Sequence, residues 1–234
     1  DAIIDAVQKT GADLGIIFDT DVDRAGAVDK HGVPINRNRF IALMAAIVLE
    51  EHPGSTVVTD SVTSTGLQKM IAQKLGGRHH RFQRGYRNVI NESIRLNAAG
   101  EASWLAMETS GHGALKENYF LDDGAYQIAK ILTKVAQLQA DNGGTIDQLI
   151  ADLEEPVEAT EFRPVITVDN FSSYADVVLE AFLMFVEETE GWSLTPDNHE
   201  GVHVTCAPGF GSGWILLRKS LHDPQMPTNI ESDI

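Results

Sequence analysis

Asp19, Asp21 and Asp23 alternate in the segment Asp19-Thr20-Asp21-Val22-Asp23-Arg24, directly after the apolar run Leu14-Gly15-Ile16-Ile17-Phe18. If this loop curls, the three carboxylates can converge on one hard cation, and oxygen ligands of that charge suit Mg²⁺ or Ca²⁺. A solvated acidic turn has the same composition. Its place directly behind an apolar strand favours the metal reading. An EF-hand also begins with alternating aspartates, but it needs Gly at the sixth loop position and Glu at the twelfth. Arg24 and Lys30 stand there, so that motif fails.

The surrounding pattern shows what must hold such a loop. Residues 2–9 read as a short helix stopped at Gly11. The run 14–18 has the length of a buried strand. Apolar residues at helical spacing mark 38–51, broken by Pro53-Gly54. Strands are expected at 56–59, 79–83 and 104–107, and helices at 67–75, 89–97 and 124–140. This alternation argues for an α/β layer around a largely parallel sheet. Ligands of such sheets gather at the carboxyl ends of the strands. Asp19 and Glu108 both follow a predicted strand. Beyond 141 the texture changes: 152–161 reads as an acidic linker, 175–188 as a helix, and 202–206 and 213–218 as strands of a smaller α+β domain.

Bulk properties narrow the function. The chain has 234 residues, 43% of them hydrophobic, one cysteine and a formal net charge of −16. No apolar run is long enough for a membrane span, and the first residues carry no signal-peptide pattern. A single Cys206 forms no internal disulfide and is expected as a small buried hydrophobe in a cytoplasmic protein. Net negative charge opposes nucleic acid and anionic membranes as partners. It also opposes a phosphorylated metabolite, so a phosphate site here requires a local cluster of cations. Gly209-Phe210-Gly211-Ser212-Gly213 is no dinucleotide fingerprint, and His79-His80, His199 and His203 match no zinc spacing.

Residues 19–24 resemble the D-G-D-G-D-R loop of the α-D-phosphohexomutases, the phosphoglucomutase and phosphomannomutase family, with Thr20 and Val22 in place of the glycines. Val28 to Gly32 resembles the stretch that follows it. Met107-Glu108-Thr109-Ser110-Gly111-His112 resembles the family's G-E-x-S-G-H sugar loop. Arg218-Lys219-Ser220-Leu221-His222-Asp223-Pro224 resembles its R-x-S-G-T-E-P phosphate loop, with Leu221 and His222 departing from Gly and Thr. Gln83-Arg84-Gly85-Tyr86-Arg87 resembles a shorter basic loop of the third domain. A capped strand-end turn, a surface turn and a solvated basic turn, respectively, remain the plainer readings of these three strings.

The resemblance implies a three-layer α/β/α mixed-sheet domain followed by a smaller α+β domain. It places the end of domain two at 1–32, domain three at 33–145 and domain four at 155–234. It implies Mg²⁺ on Asp19, Asp21 and Asp23, with Arg24 beside the reacting phosphate. Sugar contacts would come from Glu108, Ser110 and His112, and phosphate contacts from Arg218, Ser220, His222 and Arg87. Together Arg24, Arg84, Arg87, Arg218, Lys219 and His222 meet the demand for cations. The implied reaction moves phosphate between O1 and O6 of a hexose phosphate through a phosphoserine and a bisphosphate intermediate. No counterpart of the phosphoserine domain is found here, so the N-terminal domains are expected as partners and the chain alone as inactive. A homodimer is a further candidate. A dehalogenase-type phosphotransferase also places D-x-D after a strand, with Asp19 as nucleophile. It usually has Thr where Asp23 stands, and Asp122-Asp123 supports it weakly. A binding module without turnover is the remaining alternative.

Overall fold

The computed structural model describes residues 2–141, 143–220 and 223–234. They form two compact units, residues 1–154 and 155–234.

In the first unit, α1 (Ala2–Thr10) packs on a three-stranded antiparallel sheet of β1 (Leu14–Phe18), β2 (Ala25–Asp29) and β3 (Pro34–Ile35). Gly15 permits this packing, since a Cβ there would stand 2.6 Å from Val7 Cγ2. The expectation of a buried β1 is corrected: only Gly15 is buried in it, and Ile17 and Phe18 are exposed. Apolar content alone does not distinguish a core strand from an edge strand, and β1 lies at the edge of its sheet.

Next come α2 (Arg37–Glu51) and β4 (Thr56–Asp60), then α3 (Thr65–Lys69), which continues as a π turn over Met70–Lys74. They are followed by β5 (Arg78–Phe82), α4 (Tyr86–Ala98), β6 (Ser103–Met107), β7 (Gly113–Leu115) and α5 (Gly124–Asp141). The sheet order is β5-β4-β6-β7, with β7 antiparallel to β6 and the other pairs parallel. Side chains alternate across it. Val57, Leu105, Met107 and Leu115 join the core with α2 and α5, whereas Val58, Ala106 and Ala114 pack against Val89, Ile90 and Leu96 of α4. The result is three layers, α/β/α. Phe40 through Leu49 are all buried, as a helix apolar on every side requires. Where a helix was expected from Leu67, α3 starts two residues earlier, because Ser64 Oγ accepts from Leu67 N at 3.0 Å and caps it.

The second unit is a five-stranded antiparallel sheet in the order β8-β12-β11-β10-β9 with one long helix. The strands are β8 (Glu158–Phe162), β9 (Trp192–Leu194), β10 (Val202–Cys206), β11 (Gly213–Leu217) and β12 (Thr228–Ser232), and the helix is α6 (Phe171–Glu188). Cys206 is buried with Val186, Val202 and Val204. The acidic stretch read as linker runs into β8, which takes up its residues 158–161. Its side chains are mostly exposed, so backbone pairing with β12 holds it and no alternation marks it.

Candidate active site

The acidic loop is the connection from β1 to β2, closed by Asp19 N donating to Arg24 O at 3.4 Å and Val22 N to Asp19 O at 3.3 Å. Its curl brings one oxygen from each of Asp19, Asp21 and Asp23 within 4.8 Å of one another. The curl depends on Val22 at φ +66, a left-handed conformation that β-branched residues rarely adopt. Arg24 folds back onto Asp19: its Nε donates to Oδ2 at 2.6 Å and its backbone N to Oδ1 at 3.2 Å. Burial alone would raise the Asp19 carboxyl, but Arg24's hydrogen bonds and charge outweigh it and hold the group below the usual range. Asp23 is different. Its Oδ1 is buried and accepts no hydrogen bond among the described residues. Burial, with the charges of Asp21, Asp122 and Asp19, pushes this carboxyl up against the opposing pull of His112. Buried carboxylate oxygens are ordinarily paired or metal-bound. Three converging carboxylates, one with a buried oxygen that accepts no hydrogen bond and has only Arg24 Nε at 3.9 Å, therefore fit a hard divalent cation.

The sugar-type loop joins β6 to β7 and meets the acidic loop directly. Arg24 and His112 form an antiparallel bridge, and His112 Nδ1 lies 3.6 Å from Asp23 Oδ2. A Cβ on Gly111 would come 3.1 Å from Ala25 O, and one on Gly124 2.9 Å from Val22 O, so glycines let both β6–β7 and α5 approach the acidic loop. His112 Nδ1 also bonds Asp122 Oδ2 at 2.7 Å, which raises its pKa. Its ring stacks on Tyr86 at 4.8 Å. Arg87 lies over Tyr86, with its guanidinium carbon 5.6 Å from the ring centroid and its Nε donating to the hydroxyl at 3.1 Å. Glu108 Oε1 accepts from Gly85 N at 2.6 Å, and Glu108 Oε2 accepts from Ser110 Oγ at 3.2 Å. Burial first, then the charge of Asp60, raises the Glu108 carboxyl.

Asp19, Asp21, Asp23, Arg24, Glu108, Ser110, His112 and Arg87 thus belong to one neighbourhood of the first unit. Sequence reasoning missed Tyr86, Asp60 and the pairing of Asp122 with His112. In the sequence Asp122 stands out only beside Asp123, as a weak sign of a dehalogenase-type site. Instead Asp122 holds His112, and Asp123 accepts from Tyr126 N at 2.9 Å at the start of α5.

In the second unit, Arg218 and Ser220 follow β11. Arg218 Nη1 stands 3.7 Å from Glu200 Oε1, and Ser220 Oγ accepts from Asp223 N at 3.2 Å. His222 and Leu221 lie outside the described residues. Lys219, counted among the phosphate-site cations, instead donates to Asp176 Oδ1 of α6 at 2.7 Å and to Ser172 Oγ at 3.2 Å.

Residues 36–157 match the family model of the phosphoglucomutase/phosphomannomutase alpha/beta/alpha domain III. A phosphomannomutase/phosphoglucomutase of Pseudomonas aeruginosa is 31% identical over 232 residues, which cover 99% of this chain and 46% of that protein. A phosphoglucomutase of Neisseria gonorrhoeae is 30% identical over 234 residues, again 99% of this chain and 46% of the relative. Among solved structures, a phosphoglucomutase/phosphomannomutase family protein of Burkholderia thailandensis superposes with a TM-score of 0.77 at 26% identity, covering all of this chain and 45% of that one. The chain therefore spans about half the length of the relatives it matches. With its three-layer domain matched as domain III, the chain belongs to the phosphoglucomutase/phosphomannomutase family.

Proposed function

We propose that this chain carries the metal, sugar and phosphate sites of a phosphohexomutase that moves phosphate between O1 and O6 of a hexose. The observation that carries the reading is the junction of the two loops, where His112 of the sugar-type loop bridges Arg24 and faces Asp23. The relatives' names, phosphomannomutase and phosphoglucomutase, support the reaction class.

In this reading Asp19, Asp21 and Asp23 hold Mg²⁺, and Arg24 lies beside the reacting phosphate. Bound there, the ion supplies Lewis-acid polarisation of a phosphate oxygen. Asp19 Oδ2, one of the oxygens that would hold the ion, accepts from Arg24 Nε here, which keeps the guanidinium beside the carboxylate cluster. Glu108 accepts, and Ser110 accepts or donates, hydrogen bonds to adjacent sugar hydroxyls in either orientation of the bisphosphate. His112, turned by Asp122 on Nδ1, offers Nε2 to the same ligand. Arg87 adds a contact through the Tyr86 face. Arg218 and Ser220, together with His222, clamp the phosphate that does not react, a contribution to orientation. The phosphoserine is supplied from outside these residues, by the N-terminal domains of a longer protein, and residues 1–32 close the domain that precedes domain III.

Calorimetric titration tests the reading. The 234-residue chain should bind Mn²⁺, and in its presence glucose 1-phosphate, without turning it over. Asp21→Ala should lose the metal and Glu108→Gln the sugar phosphate. A chain that binds Mn²⁺ but no sugar phosphate, or that turns over alone, sinks it.

A further inference from the structure

Beneath the two sugar-facing loops lies a carboxylate that no motif contains. Asp60 ends β4 and is 0% exposed. β4 is the strand at which the chain switches sides, pairing with β5 on one edge and then with β6 on the other. Ligand crevices of α/β sheets open at the carboxyl end of such a switch point.

A buried carboxylate is costly unless hydrogen bonds repay it. Asp60 Oδ2 accepts from Thr109 twice, from its backbone N at 3.0 Å and from its Oγ1 at 2.6 Å. Arg84 Nε stands 3.9 Å from the same oxygen. Thr109 is the neighbour of both Glu108 and Ser110. Glu108 in turn accepts from Gly85 N, next to Arg84. The contacts close a ring: Asp60, Thr109, Glu108, Gly85, Arg84 and back to Asp60. Apolar packing would hold two loops on a sheet at less cost, but it would not fix the direction of a hydroxyl and a carboxylate. Charge–dipole bonds from one buried point do.

We propose that Asp60 is a positioning residue: through Thr109 and Arg84 it clasps the 108–112 and 83–85 loops together and sets the Glu108–Ser110 pair for sugar hydroxyls. The proposal rests on the sugar-phosphate reading above. Asp60 is fully buried, so it acts only through its neighbours. The rise of the Glu108 carboxyl next to the Asp60 charge accords with their closeness.

The test uses the 234-residue chain with two independent readouts. Hydrogen exchange by mass spectrometry follows the 83–88 and 107–113 segments without ligand. Calorimetry follows glucose 1-phosphate, inorganic phosphate and Mn²⁺. Asp60→Asn keeps the size and removes the charge that faces Arg84. Expected are faster exchange in both segments and about tenfold weaker glucose 1-phosphate binding, with phosphate and Mn²⁺ affinities unchanged. Thr109→Val, which leaves Asp60 in place, should weaken the sugar phosphate about three- to tenfold. Thr109→Ser, which keeps the hydroxyl, should restore it. Unchanged exchange in both segments in a folded Asp60→Asn or Thr109→Val chain overturns the proposal, as does equal weakening of phosphate and sugar phosphate. If the unmutated chain binds no sugar phosphate while Asp60→Asn still loosens both segments, the functional reading fails and the clasp stands.

Discussion

Replacing Val22 by glycine and by alanine separates backbone strain from contact in the acidic loop. Val22 sits at φ +66 and is 39% exposed. An L-residue in that region costs about 1–2 kcal/mol, because Cβ crowds the following carbonyl. Val22→Ala and Val22→Gly both remove the methyl groups, but only glycine removes Cβ. Against the relief, glycine gives back about 0.4–1 kcal/mol through its freer unfolded chain. Val22→Gly should therefore exceed Val22→Ala in stability by about 0.5–1 kcal/mol. For a chain of this size that is about 1–4 °C in melting temperature. Thr20 supplies the control within the loop: it has no positive φ, so there alanine should exceed glycine by about 0.4–1 kcal/mol. Scanning calorimetry in EDTA reads both pairs. If glycine falls below alanine at Val22 as it does at Thr20, the strain argument is wrong.

Asp23→Asn removes a half-buried charge whose Oδ1 is buried and accepts no hydrogen bond among the described residues. Because the folded Asp23 carboxyl is raised, its ionisation destabilises the fold as pH climbs above the usual carboxylate range. The variant should melt higher than the unmutated chain in EDTA at pH 7, yet bind Mn²⁺ at least about tenfold more weakly. Gly124→Ala would put a Cβ 2.9 Å from Arg24 C and Val22 O, both backbone atoms. It should cost about 1–3 kcal/mol and weaken Mn²⁺ binding, as measured by melting and by electron spin resonance titration. Asp122→Asn removes the first cause of the raised His112 pKa. The stability this pair contributes is fully present below the unfolded histidine value of about 6.5 and is lost as pH rises through the raised folded value. In EDTA the variant should show a lower His112 ring pKa by NMR and a flatter fall of melting temperature from neutral to alkaline pH. An unchanged ring pKa would refute the Asp122 assignment.

The layers of the first unit were legible because their signals are local. Ten consecutive buried residues in α2, the β-branched run Thr56 to Thr59 of β4 and the apolar run of β6 carry their environment in their composition. β7, β8, β9 and β12 were not. β7 and β9 span three residues each, too few for a periodicity, and β8 is held by its partner's backbone and not by buried side chains. β1 misled for the opposite reason. Its residues are those of a buried strand, but burial is a property of what covers a strand, and Ile17 and Phe18 lie exposed.

The site divides along the same line. Asp19, Asp21 and Asp23 could be read because one curled loop brings consecutive residues onto one point, so spacing in sequence encodes spacing in space. What aims them is assembled from separate strand ends. Asp122 reaches His112 from beyond β7, Tyr86 stacks on His112 from the start of α4, and Asp60 reaches Thr109 across a sequence separation of 49 residues. Each is a single residue of ordinary type in an ordinary string, and only the sheet order β5-β4-β6-β7 makes them neighbours. Loops that touch ligand can therefore be recognised one at a time, whereas the residues that orient them need the fold first. The same logic accounts for Val22. If strands and glycines from three elements hold the acidic loop from outside, the loop can keep its curl with a β-branched residue at φ +66 where the resembling families carry glycine. Loosening that outside support at Gly124 should then harm metal binding more than restoring glycine at position 22 helps it.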